Sequence, residues 1–450
     1  MKQDPSEISQ ATRAIRNTYA VVNRLPPEVL CAVFEHRDHE RDDLVAATHV
    51  CQYWRSTLTS NPSLWTYLSV GPGHGVGRTL VYLKRSKSKT IDIVINADLS
   101  QELEVFQHLA PHMSRTRSLV VTGCMRVDSP ASLLISTPTS SLQSLEISLI
   151  QGPMCGPDNR PTFDGIVLFL PKLTKLHLFL PESVGWFRLS SLLRFFSGCP
   201  QLEHVFVDLP PTTIHDVVED QVVLLESLVE LDYTCNAVCR VLPYLKLPHL
   251  KRLRVWSSFQ AGQVNKLADL LPSDGCLLLA RATNMGYVSN NDVEGFDLSG
   301  KETDISIFGF CTGERFVLTD WFSDESCIPF GQIEHLDFEG LTSSANLSFN
   351  PFRNLVTFQF TAGSTQRSNQ VLSLLYPEPG AAIPCPSLRE IWCNSCWYPR
   401  PFVRSLILRL TEREGEGHRL ELVHVSCAES LDRGVDVEGY VGNLQVRVEG

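Results

Sequence analysis

The chain has 450 residues, 43% of them hydrophobic and 20% charged, which is enough apolar material for a large core and excludes bulk disorder. Fifty acidic against 39 basic residues leave a formal net charge of −11, which argues against a basic nucleic-acid-binding body and against docking on anionic membrane. The length exceeds one ordinary compact domain and suits roughly two to four domains, or a small domain followed by an elongated array.

In chain order, residues 1–20 come first as a polar lead-in. The start, MKQDPSE, has no apolar core of the kind an export signal needs, and EISQATRAIRNTYA over 7–20 has helical character. No apolar run reaches bilayer length. With 14 cysteines scattered from Cys31 to Cys427, the expectation is an intracellular chain, in cytoplasm or nucleus, with reduced and mostly buried thiols.

Residues 21–69 read as a small helical module. Pro26 and Pro27 end one element and suit the first turn of the next, and Glu28 lies where a helix N-terminus favours negative charge. The six residues Val29–Phe34 are all apolar, so they cover every face of a helix. The loop after them, residues 35–43, is densely charged, so one helix face packs at home and the other needs a partner chain. Asp43 suits a cap for the next helix. Val50, Trp54 and Leu58 then follow at i, i+4, i+8, and Asn61-Pro62-Ser63-Leu64-Trp65 closes the module.

The order and spacing of Leu25-Pro26-Pro27-Glu28-Val29-Leu30, Phe34, Val50-Cys51-Gln52-Tyr53-Trp54-Arg55 and Pro62-Ser63-Leu64-Trp65 resemble the F-box across residues 22–68. With its lead-in helix and repeat-like body, the layout looks like the large F-box families of mushroom-forming fungi. The loop between the first two helices is longer and more charged than in many F-boxes. The resemblance implies docking on a Skp1-like protein and, through it, on a cullin. The positions matching the docking surface are Leu25, Pro26, Val29, Leu30, Val33, Val50 and Trp54. Phe34, Trp54, Leu58 and Trp65 are also the strongest candidates for the module's own core.

Residues 70–90 begin with Gly71-Pro72-Gly73-His74-Gly75-Val76-Gly77. This run fits no phosphate-binding glycine motif and reads as a flexible joint.

Over 91–450 an apolar-x-x-apolar-x-apolar pattern recurs. Its copies are Leu142-Leu145-Ile147, Leu173-Leu176-Leu178, Leu202-Val205-Val207, Leu228-Leu231-Tyr233, Leu250-Leu253-Val255, Ile305-Phe308-Phe310, Ile333-Leu336-Phe338, Leu355-Phe358-Phe360, Leu388-Ile391-Cys393 and Leu420-Val423-Val425. Leu119 and Val121 look like an earlier copy. The gap at 253–308 suits one missing copy, and residues 276–282 are a candidate for a degenerate one. Alternation puts two apolar side chains inward and exposes the residue between them, as at His177, Asp232, Arg254 and Asp337. Helical stretches such as 190–196 lie between copies. The expected fold class is α/β: a small all-α F-box module, then an irregular leucine-rich-repeat solenoid with a parallel sheet on its concave face.

No catalytic, cofactor or metal site is expected. Cys393-Asn394-Ser395-Cys396 lacks a second ligand pair, and His36 and His39 match no zinc motif. Cys124, Cys235 and Cys427 fall just past strand copies, where a small side chain packs a turn. Trp392, Trp397, Tyr398 and Phe402 form a late aromatic cluster that reads as core or as an anchor for a ligand protein. Asn346-Leu347-Ser348 is a glycosylation sequon without meaning in a cytosolic chain. The expected role is a non-enzymatic adaptor of a ubiquitin ligase that binds a Skp1-like protein and an unknown protein substrate. The alternatives are a scaffold acting outside a cullin complex and, more remotely, an enzyme with an unrecognised site in the body.

Overall fold

The computed structural model describes residues 12, 15, 19–36, 43–71, 76–96, 103–123, 139–149, 170–180, 188–209, 216, 221–236, 241–259, 272, 281–289, 293–301, 304–311, 330–339, 349, 351–361, 373, 375, 384–394, 420–426 and 445–449. The chain divides into two compact units, residues 1–186 with 198–200, and residues 187–197 with 201–450.

The first unit opens with helical positions at residues 12, 15 and 19 and a 3-10 turn over Val21–Arg24. Three short helices follow: α1 (Pro27–Glu35), α2 (Asp43–Ala47) and α3 (Gln52–Ser60). Pro26 stays extended at φ −53° and ψ 147°, and Pro27 takes the first helical position, where its missing N–H costs nothing. Pro62 opens a 3-10 turn over Pro62–Trp65, capped by the Asn61 side chain accepting from the Ser63 N–H. Then come β1 (Tyr67–Val70), α4 (Val76–Arg85), β2 (Ile91–Asn96), α5 (Leu103–Leu109), β3 (Thr116–Gly123), β4 (Ser144–Leu149) and β5 (Lys175–Phe179).

The five strands pair in parallel in sequence order. Leu68, Ile93, Leu119, Leu145 and Leu176 align as one buried row, and Val70, Ile95, Val121, Ile147 and Leu178 as a second. The period of two that marks each copy is thus the period of a sheet with one face in the core.

The ladder starts earlier than the sequence suggests. Trp65, Leu68 and Val70 repeat the apolar-x-x-apolar-x-apolar spacing, and all three are buried. Trp65 thus ends the helical module and begins the sheet. Its indole N–H donates to the Leu58 carbonyl at 2.9 Å, and its ring meets Tyr82 edge-on at 5.0 Å with the Arg85 guanidinium 4.3 Å from its centroid. Tyr82 and Arg85 belong to α4, so the stretch 70–90, expected as a joint, holds a helix seated on Trp65. The glycines around Gly71 hide that helix from a composition reading, while its inward residues Thr79, Tyr82 and Leu83 keep helical spacing.

The second unit contains α6 (Leu189–Ser197), β6 (His204–Asp208), β7 (Val223–Leu224), β8 (Glu230–Asn236), β9 (Leu245–Lys246), β10 (Arg252–Phe259), β11 (Asn284–Ser289), β12 (Val293–Ser299), β13 (Asp304–Cys311), β14 (His335–Glu339), β15 (Thr357–Thr361), β16 (Glu390–Asn394), β17 (Leu422–Ser426) and β18 (Gln445–Glu449). Here the strands are ordered β6-β8-β10-β13-β12-β11-β14-β15-β16-β17-β18, and β7 and β9 form a small parallel pair of their own.

Three expectations fail here. The sheet is not wholly parallel, because β12 runs antiparallel to both β11 and β13. The gap at 253–308 is filled by a rearranged segment: β13 lies beside β10, and β11 returns to pair with β14. The copy read as Ile305-Phe308-Phe310 is also shifted, since Leu253 aligns with Ile305 and Val255 with Ile307. Residues 276–280 of the candidate degenerate copy lie outside the described residues; just after them Ala282 and Met285 are buried and Met285 aligns with Leu336. The buried row nevertheless runs unbroken through Leu253, Ile305, Leu298, Met285, Leu336, Phe358, Ile391 and Val423. Side-chain alternation does not depend on strand direction, so the reversed strand still supplies one core-facing residue to that row.

Each unit also carries an unexpected member of the recurring pattern. Three residues before the first leucine sits another buried residue, and the leucine N–H donates to its carbonyl. The pairs are Leu170/Leu173, Leu225/Leu228, Leu247/Leu250, Phe330/Ile333, Phe352/Leu355 and Cys385/Leu388. A tight turn plugged by an apolar side chain therefore precedes each of these strands. Cys199, three residues before Leu202, is also buried, and burial pushes its thiol up to about 12.

Candidate docking surface

The helical module divides its apolar residues between two faces. Leu30, Leu44, Ala47, Leu58, Leu64 and Trp65 are buried. Phe34 and Trp54 are half-buried and meet edge to face at 5.6 Å. Val29, Val33 and Val50 are not enclosed, with exposures of 44%, 58% and 55%. Pro26 is exposed and Leu25 half-buried. Of the seven residues matched to the docking surface, six thus retain accessible surface, and Leu30, at 1%, is withdrawn into the core. The cause is helix geometry. Val29 and Val33 are four residues apart on one side of α1, and Leu30 points 100° away from Val29.

The expected stripe Val50-Trp54-Leu58 is not a single face. The helix α3 begins only at Gln52, with Cys51 extended at φ −157° as its N-cap. The Cys51 Sγ accepts from the Trp54 N–H at 3.5 Å and donates to the Asn23 Oδ1 at 3.8 Å. A thiol thus fills the place usually held by a Ser or Asp oxygen. Val50 lies before this cap and turns outward, while Leu58 faces inward. This role of Cys51 was not anticipated; its place just ahead of an amphipathic run is the signal that marks it.

Two further bonds fix the surface. The Tyr53 hydroxyl donates to the Leu25 carbonyl at 2.5 Å, and the Arg55 Nε donates to the Thr48 carbonyl at 2.9 Å. The first, with the Asn23–Cys51 bridge, holds the chain entering α1 against the start of α3, and the second ties the end of α2 to α3. Leu25 and Val50 consequently flank a fixed seam. Covering a half-exposed valine returns about 1 kcal/mol, so the apolar content of this face favours association.

The other expected features are dispersed. Cys385 and Cys393 are buried, while Cys396 lies outside the described residues. So do Cys124, Cys427, His39, Asn346, Trp397, Tyr398 and Phe402. Trp392 is half-buried, stacked on His424 at 4.5 Å, with its indole N–H donating to Glu390. Among the described residues no group of three or more His, Cys, Asp or Glu side chains is placed to hold a metal ion, and no helix is long and apolar enough to cross a membrane.

Residues 22–70 match the family model of the F-box-like domain. The match spans α1, α2, α3, the 3-10 turn at Pro62–Trp65 and β1, and so includes the first strand of the sheet. No curated protein matches the chain.

Proposed function

We propose that the chain is a substrate-recognition adaptor of a Skp1–cullin–F-box ubiquitin ligase. The single observation behind this is that the F-box-like segment keeps Val29, Val33 and Val50 at its surface while its own core is closed by Leu30, Leu58 and Trp65. F-box domains generally bind Skp1. The docking residues are Leu25, Pro26, Val29, Val33, Val50 and Trp54, with Leu30 supporting them from beneath. A Skp1-type subunit covers this face and links the chain to a cullin.

The body, read as an irregular leucine-rich-repeat solenoid, holds the target protein on the polar face of its strands. The chain catalyses no bond change. It raises the concentration of a target near a ubiquitin-charged enzyme, within the cytoplasm or nucleus.

Affinity capture with proteasome activity blocked tests this reading. The intact chain and a Val29→Asp/Val33→Asp variant are compared. The intact chain should recover a Skp1-type subunit, a cullin and the target, and the variant should recover the target alone. Recovery of the target without any Skp1-type subunit by the intact chain would instead indicate a scaffold working outside a cullin complex.

A further inference from the structure

Among the described residues, eleven large apolar side chains are exposed, and seven of them lie between Ile15 and Val50. Only Val22, Val29, Val33 and Val50 fall inside the F-box-like match, which begins at residue 22. Ile15, Tyr19 and Val21 precede it, with exposures of 61%, 70% and 79%. Ile15 and Tyr19 both stand at helical positions, four residues apart in sequence.

This strip is tied to the docking face. The Asn23 N–H donates to the Ala20 carbonyl at 2.9 Å and the Leu25 N–H to the Val22 carbonyl at 3.3 Å, so the lead-in turns tightly into α1. The Asn23 side chain then reaches Cys51. Val22 and Val50 each sit one residue from that bridge, and both are exposed. Exposed apolar residues therefore stand on both sides of the seam between the lead-in and the F-box-like helices. Its charge is also distinct. From Ile8 to Pro27 the chain has Arg13, Arg16 and Arg24 and no carboxylate, within a protein of net charge −11.

We propose that Ile15, Tyr19, Val21 and Val22 form a second strip of the docking surface for the same Skp1-type subunit, whose facing surface is apolar with carboxylates at its rim. This rests on the adaptor reading above. A cluster of exposed apolar side chains marks an interaction site, and the bridge from Asn23 to Cys51, which ties the lead-in to the F-box-like face, assigns both to one occupant. The arginines supply encounter rate and orientation against an acidic rim.

The test uses the full chain and the purified Skp1-type subunit of the source organism, with affinity measured by fluorescence anisotropy. Tyr19→Ala/Val21→Ser/Val22→Ser should weaken binding at least tenfold and leave the thermal midpoint unchanged, because all three side chains are at the surface. Arg13→Glu/Arg16→Glu should weaken it more at low salt than at high salt. If the triple variant binds as tightly as the intact chain while Val33→Asp does not bind, the strip is no part of the interface and the proposal is overturned. A triple variant that keeps full affinity but converts a dimer to a monomer in light scattering overturns it in favour of self-association. Failure of the intact chain to bind removes the adaptor reading itself, and this proposal with it.

Discussion

Val29 and Leu30 are adjacent in sequence, both aliphatic, and opposite in fate: one lies at the surface and the other is enclosed. They therefore answer differently to substitution. Leu30→Ala should cost about 2–4 kcal/mol in denaturant unfolding, because it leaves a cavity between α1 and its neighbours. Val33→Asp should change stability by no more than about 0.5 kcal/mol, as a surface substitution, and should abolish capture of a Skp1-type subunit. Cys51→Ala should cost about 1 kcal/mol, since it removes the cap on α3 and the bridge to Asn23. The module was legible at this scale because Leu-Pro-Pro, Cys-x-x-Trp and Pro-Ser-Leu-Trp are constrained by caps, turns and ring packing. Which face each residue takes was less legible. In the all-apolar run Val29–Phe34 no polar residue marks the outside, so sequence alone could not separate Leu30 from Val29.

Among the elements, Trp65 has the widest reach. It is the last residue of the 3-10 turn, the first of the buried ladder through Leu68 and Val70, and the seat of Tyr82 and Arg85 from α4. Trp65→Ala should cost about 3–5 kcal/mol. It should lower the unfolding midpoint of the helical module and of strands β1–β5 together, read by hydrogen exchange of α3 and β2 amides. Protection lost in α3 alone, with β2 unchanged, would mean that the two are not coupled through this ring. The strands were legible because alternation survives in each of them. The segment 282–311 was not, because Ile305, Ile307, Phe308 and Phe310 offer two registers of similar apolarity. A hairpin reversal also leaves no mark on a pattern that reads the same in both directions. The helix α4 was obscured by the glycines before it. The buried residue three positions ahead of each leucine was visible in the sequence, but it carries no alternation signal of its own.

At the scale of the whole chain, the net charge of −11 has a local expression on the polar face of the second unit's strands. Burial, with the charge of Glu339, raises the Asp337 carboxyl above its ordinary value, and burial with the charge of Asp232 does the same for Asp208. A carboxyl raised on folding adds stability only while protonated, below its unfolded value, and that contribution is lost as pH rises through the folded value. At neutral pH both ionised groups therefore oppose folding. Asp208→Asn/Asp337→Asn should raise the unfolding midpoint at pH 7 by the equivalent of at most about 1 kcal/mol after solvent screening. The gain should vanish below the ordinary carboxylate range, near pH 3, where the native residues are protonated; an equal gain at both pH values would contradict the charge account. Residues 8–27, by contrast, carry three arginines and no carboxylate, and the docking face that follows them presents Val29, Val33 and Val50. The adaptor reading depends on that docking face being covered by a partner. Calorimetric titration of a purified Skp1-type subunit into the folded chain tests this most directly. The expected result is saturable one-to-one binding with a negative heat-capacity change from apolar burial, lost in the Val29→Asp/Val33→Asp variant. Absence of binding to a folded chain, or binding indifferent to those two substitutions, would contradict it.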